Sequence, residues 1–306
     1  MAETLNQFGV PEHHVRAFTT NVMMDVQRQG GLFRDRVTTA SYTGEGVQAV
    51  NYIGQARFNR REHRWDDTKL TELAHTQRWV YPFDNDFATM VDRVDKLRMI
   101  YDPTSPYVEA VRIGYNVLED ETIINQFFAV AFTGKLGATQ EPFDTTNNVI
   151  AHGGTGLTIA KLRAARKKLK QFRIELTNMR SNKGRGEVPY IGVTAQAMDN
   201  LLSDTSVTSA DFNTVKALVD GEVNTFMGFE FVHCEDLPLD PADVTTTFHP
   251  VWVRSGMHLG DWQNLMLQIT PRPDKNNLPQ IHGCCTLGTT RLHTKKVLQL
   301  QTKNNV

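Results

Sequence analysis

His233, Cys234, His282, Cys284, Cys285 and His293 are the side chains of this sequence whose types could hold a soft metal ion. Thiolates and imidazoles hold zinc tetrahedrally. Neither a Cys-x-x-Cys pair nor a His-x-x-x-His pair is present, and these residues lie in strand patterns, where a buried cysteine behaves as a small apolar filler. Gly153-Gly154-Thr155-Gly156 precedes a helix, a setting for phosphate binding, yet no Lys-Ser or Lys-Thr follows and residues 148–152 make a weak strand. It reads as a flexible loop ending in a helix cap. No Gly-x-Ser-x-Gly elbow or His-Glu-x-x-His helix occurs, and Glu119, Asp120 and Glu121 read as the wet side of a helix. No catalytic residue, cofactor site or metal site is therefore assigned.

The stronger charge signals are basic. Residues 157–177 predict a helix with Leu162, Ala165, Leu169, Phe172 and Leu176 on one stripe. Lys161, Arg163, Arg166, Lys167, Lys168, Lys170 and Arg173 occupy the rest. Such a helix attracts phosphate in a salt-dependent way, but no aromatic residues interleave with the cations to stack bases. Arg163, Arg166, Lys167 and Lys170 are thus candidates for a solvated or intersubunit face, or for the lining of a DNA-filled space. A basic, Gly-rich loop at 181–187 carries Lys183 and Arg185.

Residues 37–80 favour extended structure, with Arg57, Arg60, Arg61 and Arg64 crowding the middle and Trp65, Asp66 and Asp67 following. As two arms of about 15 residues, such a ribbon would reach on the order of 50 Å. An isolated hairpin is marginal in water, so it needs a partner surface. The alternative is an ordinary solvated hairpin on a larger sheet.

The elements that must carry these residues follow from length and pattern. A chain of 306 residues with 40% hydrophobic content buries a substantial core in one large or two modest domains. Lys and Arg total 33 against 34 Asp and Glu, a net charge of −1, which excludes the uniform basic field of a dedicated nucleic-acid binder. Cys234, Cys284 and Cys285 cannot make a disulfide framework, which points to a reducing compartment. No signal peptide or membrane-spanning run is visible, so a soluble product made in a cytoplasm is expected.

Along the chain, Val15, Phe18, Val22 and Val26 predict a short amphipathic helix closed by Gly30-Gly31. A second helix is predicted over 86–99, with Phe87, Met90, Val91, Val94 and Leu97 inward. A long one starts at Ser105-Pro106 and runs to about Phe132, where Gly134 ends it. Its last turns are apolar nearly all round, which marks a buried end and a spine for the domain. A short helix capped by Thr194 covers 194–202, and 206–219 is helical or mixed. Strands are expected at 189–193, 227–238, 251–253, 265–269, 281–287 and 297–300. The fold class is α+β.

The ordered series of these pieces resembles the major capsid protein of tailed bacteriophages with the Hong-Kong-97-type shell fold. It begins with Gln27-Arg28-Gln29-Gly30-Gly31-Leu32 leading to Asp35-Arg36-Val37, then Gly46, the Tyr52-Ile53-Gly54 strand and the Arg-rich arm. The Asp102-Pro103 turn, the spine helix with Asp120 and Ile123-Ile124, and Val188-Pro189-Tyr190-Ile191-Gly192-Val193 follow. Gly228-Phe229-Glu230-Phe231, Leu237-Pro238, Gly256-Met257 and the stretch 283–291 complete the series.

The resemblance implies an N-terminal arm and helix (1–39), an extended loop (40–82), a peripheral domain with the spine helix (83–174), an axial domain (175–275) and strands returning to the peripheral domain (276–306). It implies hexamers and pentamers closing as an icosahedral shell around non-specifically packaged double-stranded DNA. The chain would be made and assembled in the bacterial cytoplasm, with no membrane partner. Arg57, Arg60, Arg61, Arg64, Trp65, Asp66 and Asp67 would be intersubunit contacts, and Lys183 and Arg185 would face a capsomer axis. The arm begins too early to include a cleaved scaffolding segment, so a separate scaffolding protein is expected, together with a portal and a decoration protein. Lys69 lies in the loop where part of the family crosslinks, without a local signature for it. Two other classes stay open: an encapsulin-like compartment enclosing a cargo enzyme, and a metal-dependent enzyme built on the Cys and His cluster.

Overall fold

A computed structural model describes residues 30–54, 56–60, 62–65, 67–68, 70–90, 104–176, 186–203 and 225–304. In chain order these carry β1 (Thr38–Ser41), β2 (Val47–Ile53), β3 (His75–Val80), β4 (Phe83–Met90) and the long helix α1 (Thr104–Phe128). Short strands β5 (Ala131–Thr133), β6 (Thr139–Glu141) and β7 (Val149–Ile150) lead to α2 (Ile159–Gln171), β8 (Pro189–Val193) and α3 (Ala195–Ser203). Then come β9 (Thr225–Phe226), β10 (Phe229–His233), β11 (Thr246–Val253), the long β12 (Met257–Arg272) and β13 (Leu278–Arg291), and β14 (Val297–Lys303). The predicted helix at 11–26, the basic loop at 181–185 and the stretch 206–219 lie outside the described residues.

A sheet in the order β7-β14-β11-β8-β10-β9 is covered on both faces. Because successive strand residues point to opposite sides, Val251 and Trp252, or Val297 and Leu298, enter different cores. Ile191, Val193, Phe229, Phe231, Val251 and Leu298 face α2 and α3, meeting Leu162, Leu169 and Leu201. Val232, Trp252 and Val297 face the buried end of α1, meeting Ile123, Ile124 and Phe127 together with Phe33 and Val37. β11 is longer than its expected core of 251–253 because 246–250, a mostly polar stretch without a strand-like apolar pattern, pair with 299–303 of β14. A second sheet, β1-β12-β13-β4, lies against the first half of α1, and a third, β2-β3-β5-β6, carries the hairpin. Pairing crosses position 275, since β12 runs beside β13, and β14 beside β11.

The structure corrects three expected helix bounds. Over 86–90 there is strand, not helix: β4 pairs with β13 from Phe83 opposite Leu287 to Met90 opposite Gln280. Phe87 and Met90 have helical spacing, but ladder bonds to β13 outweigh so short a local pattern, and 91–103 lie outside the described residues. The spine helix stops at Phe128, because 131–133 pair with β3 and β6. The basic helix ends at Gln171, where Arg173 turns left-handed at φ 60° and Ile174 donates to Leu169 O at 3.2 Å.

Gly288 is among the glycines fixed by close approach. A Cβ on Gly288 of β13 would stand 2.3 Å from the carbonyl oxygen of Tyr81 and 3.0 Å from the Trp262 ring.

Candidate interaction site

The hairpin β2–β3 pairs from Val47 opposite Val80 to Ile53 opposite His75, with a one-residue shift in register between Gln48 and Val50. Its base is held by Trp79 Nε1, which donates to Gly134 O at 2.8 Å, and by β3 pairing with β5. The last rung is Gly54 N–H to Ala74 O at 2.7 Å. Beyond it, 56–74 is irregular wherever described, so the regular ribbon is far shorter than the sequence suggests. Polar and charged residues at 59–68 offer no alternating face to register one arm against the other.

This irregular loop places large apolar side chains in water. Phe58 is 101% exposed, Trp65 90% and Leu70 95%. Arg57, Arg60, Arg64 and Asp67 are exposed beside them, whereas Arg61 and Asp66 lie outside the described residues. Tryptophan and arginine side by side are the composition of an interface centre. Covering one such side chain is worth about 1.5–3 kcal/mol, which this chain by itself leaves ungained.

The basic helix is less free than its sequence suggests. Arg163, Lys167 and Lys170 are exposed, but Arg166 Nη1 donates to Met227 O. Lys168 donates to Asn147 O and Val149 O, and the buried Lys161 Nζ donates to Thr155 O and Gly156 O at 2.7 Å and to Gln301 O at 3.2 Å. Burial lowers the Lys161 ammonium to about 8. The glycine loop at 153–156 thus turns carbonyls onto a cation, the opposite polarity to a phosphate cradle. Lys183 and Arg185 lie outside the described residues.

The carboxylates read as the wet side of the spine are another correction, because Glu119 and Asp120 are 2% and 0% exposed and only Glu121 is outward. Asp120 accepts from the backbone of Leu32 and Phe33, and Glu119 pairs with Arg34, whose other nitrogen meets Asp261 at 2.5 Å. Burial holds Glu119 above the usual carboxylate range despite Arg34. Arg36 pairs with Glu230 at 2.9 Å, and Trp252 Nε1 donates to Arg36 O at 3.0 Å. Residues 31–37 are thereby tied to α1, β10, β11 and β12. Helical spacing gave no sign of this, since the partners lie roughly 85 to 230 positions away.

Other clusters that spacing could not reveal are Arg78, Glu141 and Arg291, and Glu187, Ser255 and Lys296. Glu187 accepts from Ser255 and Lys296; burial alone would raise its carboxyl, but these partners hold it below the usual range. Among the six soft candidates, Cys234 is buried in the second core, Cys285 is buried beside Cys284 on β13, and His293 sits in the turn before β14. Among the described residues no three His, Cys, Asp or Glu side chains converge on one point, and no helix is long and apolar enough to cross a membrane.

The architecture is that of a shell subunit. It superposes on the capsid of Cyanophage P-SCSP1u with a TM-score of 0.70 over 97% of this chain and 95% of that one, at 17% identity. For the capsid of Helicobacter pylori bacteriophage KHP30 the TM-score is 0.73 over 100% of both chains, at 11% identity. For a Mycobacterium phage Che8 structure it is 0.70 over 97% of this chain and 98% of that one, at 12% identity. These likenesses define the Hong-Kong-97-type fold. Residues 10–304 match the family model described as phage capsid protein, and the chain belongs to that family. It is a structural major capsid protein, a virion component that assembles into a multimeric shell. No curated protein matches it in sequence.

Proposed function

We propose that copies of this chain close as hexamers and pentamers into the icosahedral head of a tailed bacteriophage, each laying its 54–74 loop over a neighbour. The observation that carries this reading is the solvent exposure of Phe58, Trp65 and Leu70 on one arginine-bearing loop. Arg57, Arg60, Arg61, Arg64, Trp65, Asp66 and Asp67 are then intersubunit contacts. Residues 1–39 form the arm, 40–82 the extended loop, and 83–174 with 276–306 the peripheral body. Residues 175–275 face the capsomer axis, with Lys183 and Arg185 near it.

Exposed Arg163, Lys167 and Lys170 face a neighbouring copy or the phosphates of non-specifically held double-stranded DNA. Arg166, engaged with Met227, supports that helix from within. A separate scaffolding protein, a portal and a decoration protein complete the head, which assembles in the host cytoplasm. The chain carries no reaction of its own in this reading.

The test is electron microscopy and light scattering of the purified chain beside a Phe58→Ser, Trp65→Ser, Leu70→Ser variant. Closed particles from the native chain and none from the folded variant are expected. Normal particles from the variant would refute the role of the loop.

A further inference from the structure

Between the hairpin and the turn joining β13 to β14 lies a cleft of about 890 Å³, of whose lining the shell reading uses Arg57 alone. Its lining is cationic. Arg57 comes from the loop, Arg78 from β3, Arg173 from the end of α2, and His293 and Lys295 from the turn, against the carboxylate of Glu141. That carboxylate is already engaged, by Arg78 Nη2 at 2.6 Å and by the Thr294 hydroxyl.

Arg78 is 7% exposed, its Nε donates to Leu292 O at 2.8 Å, and among the described residues its Nη1 has no partner. Nearby Arg291, 0% exposed, gives Nη1 to the carbonyls of Phe127 and Ala129, and its Nε has no partner among the described residues. The Glu141 carboxylate pairs directly with Arg78, while Arg291 Nη2 donates to the Glu141 backbone carbonyl at 3.4 Å, and guanidinium keeps its charge at ordinary pH. Burial and then Arg78 hold Arg291 down at about 10, and burial followed by Lys296, Arg78 and Lys295 holds the His293 imidazole below its usual range. Both displacements come first from burial, and neighbouring cations add to it. Buried charge is costly to leave uncompensated, and an entering anion would relieve that cost.

A further sign is Arg173. It occupies a left-handed position, φ 60°, that glycine takes with least strain, and there it brings a charge to the cleft.

We propose that this cleft binds one oxyanion, a carboxylate or phosphate group, held by Arg78, Arg173 and Lys295. Guanidinium forks receive two oxygens of either group side by side. A DNA duplex is too wide to press its phosphates against so deeply buried an arginine. The group arrives singly, as free phosphate or as an acidic side chain of a second copy. Binding of phosphate by the single chain does not depend on the shell reading.

The test follows the His293 ring proton by NMR in the full unassembled chain, assigned with His293→Gln. Inorganic phosphate is titrated in at constant ionic strength balanced with chloride. The groups around this imidazole are Lys295 and Lys296 in its own turn, Arg78 on β3, Glu141 on β6, Arg173 at the end of α2, Arg57 in the loop, Glu187 before β8 and Tyr52 on β2, whose ring lies 5.6 Å away edge-on. A saturable rise of the His293 midpoint is expected, because a bound anion favours imidazolium. Affinity should fall at least tenfold in an Arg173→Gly, Lys295→Met variant whose melting temperature is not lowered. A midpoint indifferent to phosphate, equally responsive to chloride, or unchanged in its response in the variant overturns the site. Calorimetry on assembled particles separates the sources: lost phosphate uptake identifies a carboxylate from a second copy, and retained uptake identifies free phosphate.

Discussion

Asp120, wholly buried in α1, accepts the backbone N–H of Phe33 at 3.1 Å. The same carboxylate takes the N–H of Leu32 at 3.2 Å, so one side chain satisfies two donors where residues 31–37 cross the spine. Each is a charge-assisted bond, and removing the acceptor strands buried donors. Asp120→Ala should therefore lower the unfolding free energy of the unassembled chain by about 3 kcal/mol, read from urea titration. A change near zero would mean that water replaces the carboxylate freely.

Arg291 closes the C-terminal end of the same helix. Its Nη1 donates to the carbonyls of Phe127 and Ala129 at 2.9 and 2.8 Å, and its guanidinium lies 5.2 Å from the Phe143 ring centre. A helix end leaves carbonyls without intrahelical partners, and here a buried planar fork supplies the donors. Arg291→Met should destabilise by about 3–5 kcal/mol. Arg291→Lys should rescue little of that, because an ammonium cannot serve the same spread of acceptors. Thermal melts of the two variants distinguish this fork from a simple need for positive charge, for which lysine would suffice.

The strand at 189–193, the strand expected at 297–300 and found to reach 303, the helix expected at 194–202 and found at 195–203, and the buried end of the spine were legible because each is a local pattern of apolar period. The short strands β5, β6 and β7 were not, because two or three residues hold too little periodicity to register. Helical spacing at Phe87 and Met90 misled for a related reason: β4 takes its conformation from β13, nearly 200 residues later. At the candidate site the exposure of Arg57, Arg60 and Arg64 could be read directly as charge without a core beneath it. The burial of Lys161, Glu119 and Asp120 could not, since all three look like ordinary wet residues until carbonyls, Arg34 and the backbone of 32–33 are brought to them.

Glycine positions separate space from backbone conformation. At Gly288 an added methyl meets the Tyr81 carbonyl at 2.3 Å inside a ladder that cannot shift without breaking pairs. At Gly154 nothing lies within 4 Å, but φ is +73°. Gly154→Ala should cost about 1–2 kcal/mol, the penalty of left-handed backbone alone. Gly288→Ala should cost more than that, and its loss of stability should accompany weakened protection of β12 and β13 amides in hydrogen exchange. Equal costs at the two sites would show that the strand yields more readily than its neighbours suggest.

His249 gives the fold a titration of known sign. It is 0% exposed on β11, with Nδ1 2.9 Å from Gly192 O and Nε2 2.8 Å from Thr302 Oγ1. A carbonyl only accepts, so Nδ1 carries the proton and Nε2 accepts from the hydroxyl, which fixes the neutral tautomer. Burial lowers the imidazole from 6.5 to about 4. Below about pH 6.5 the unfolded chain takes up a proton that the folded chain refuses until about pH 4, so stability is full above this window and declines as pH falls through it. Between pH 7 and pH 5 the loss from this residue should be roughly 2 kcal/mol. Urea midpoints of the unassembled chain at those two pH values, beside His249→Gln, isolate it from the other histidines: the variant is less stable at pH 7 but declines less on acidification. An equal decline in both would show that His249 is not the group whose charging opens this sheet.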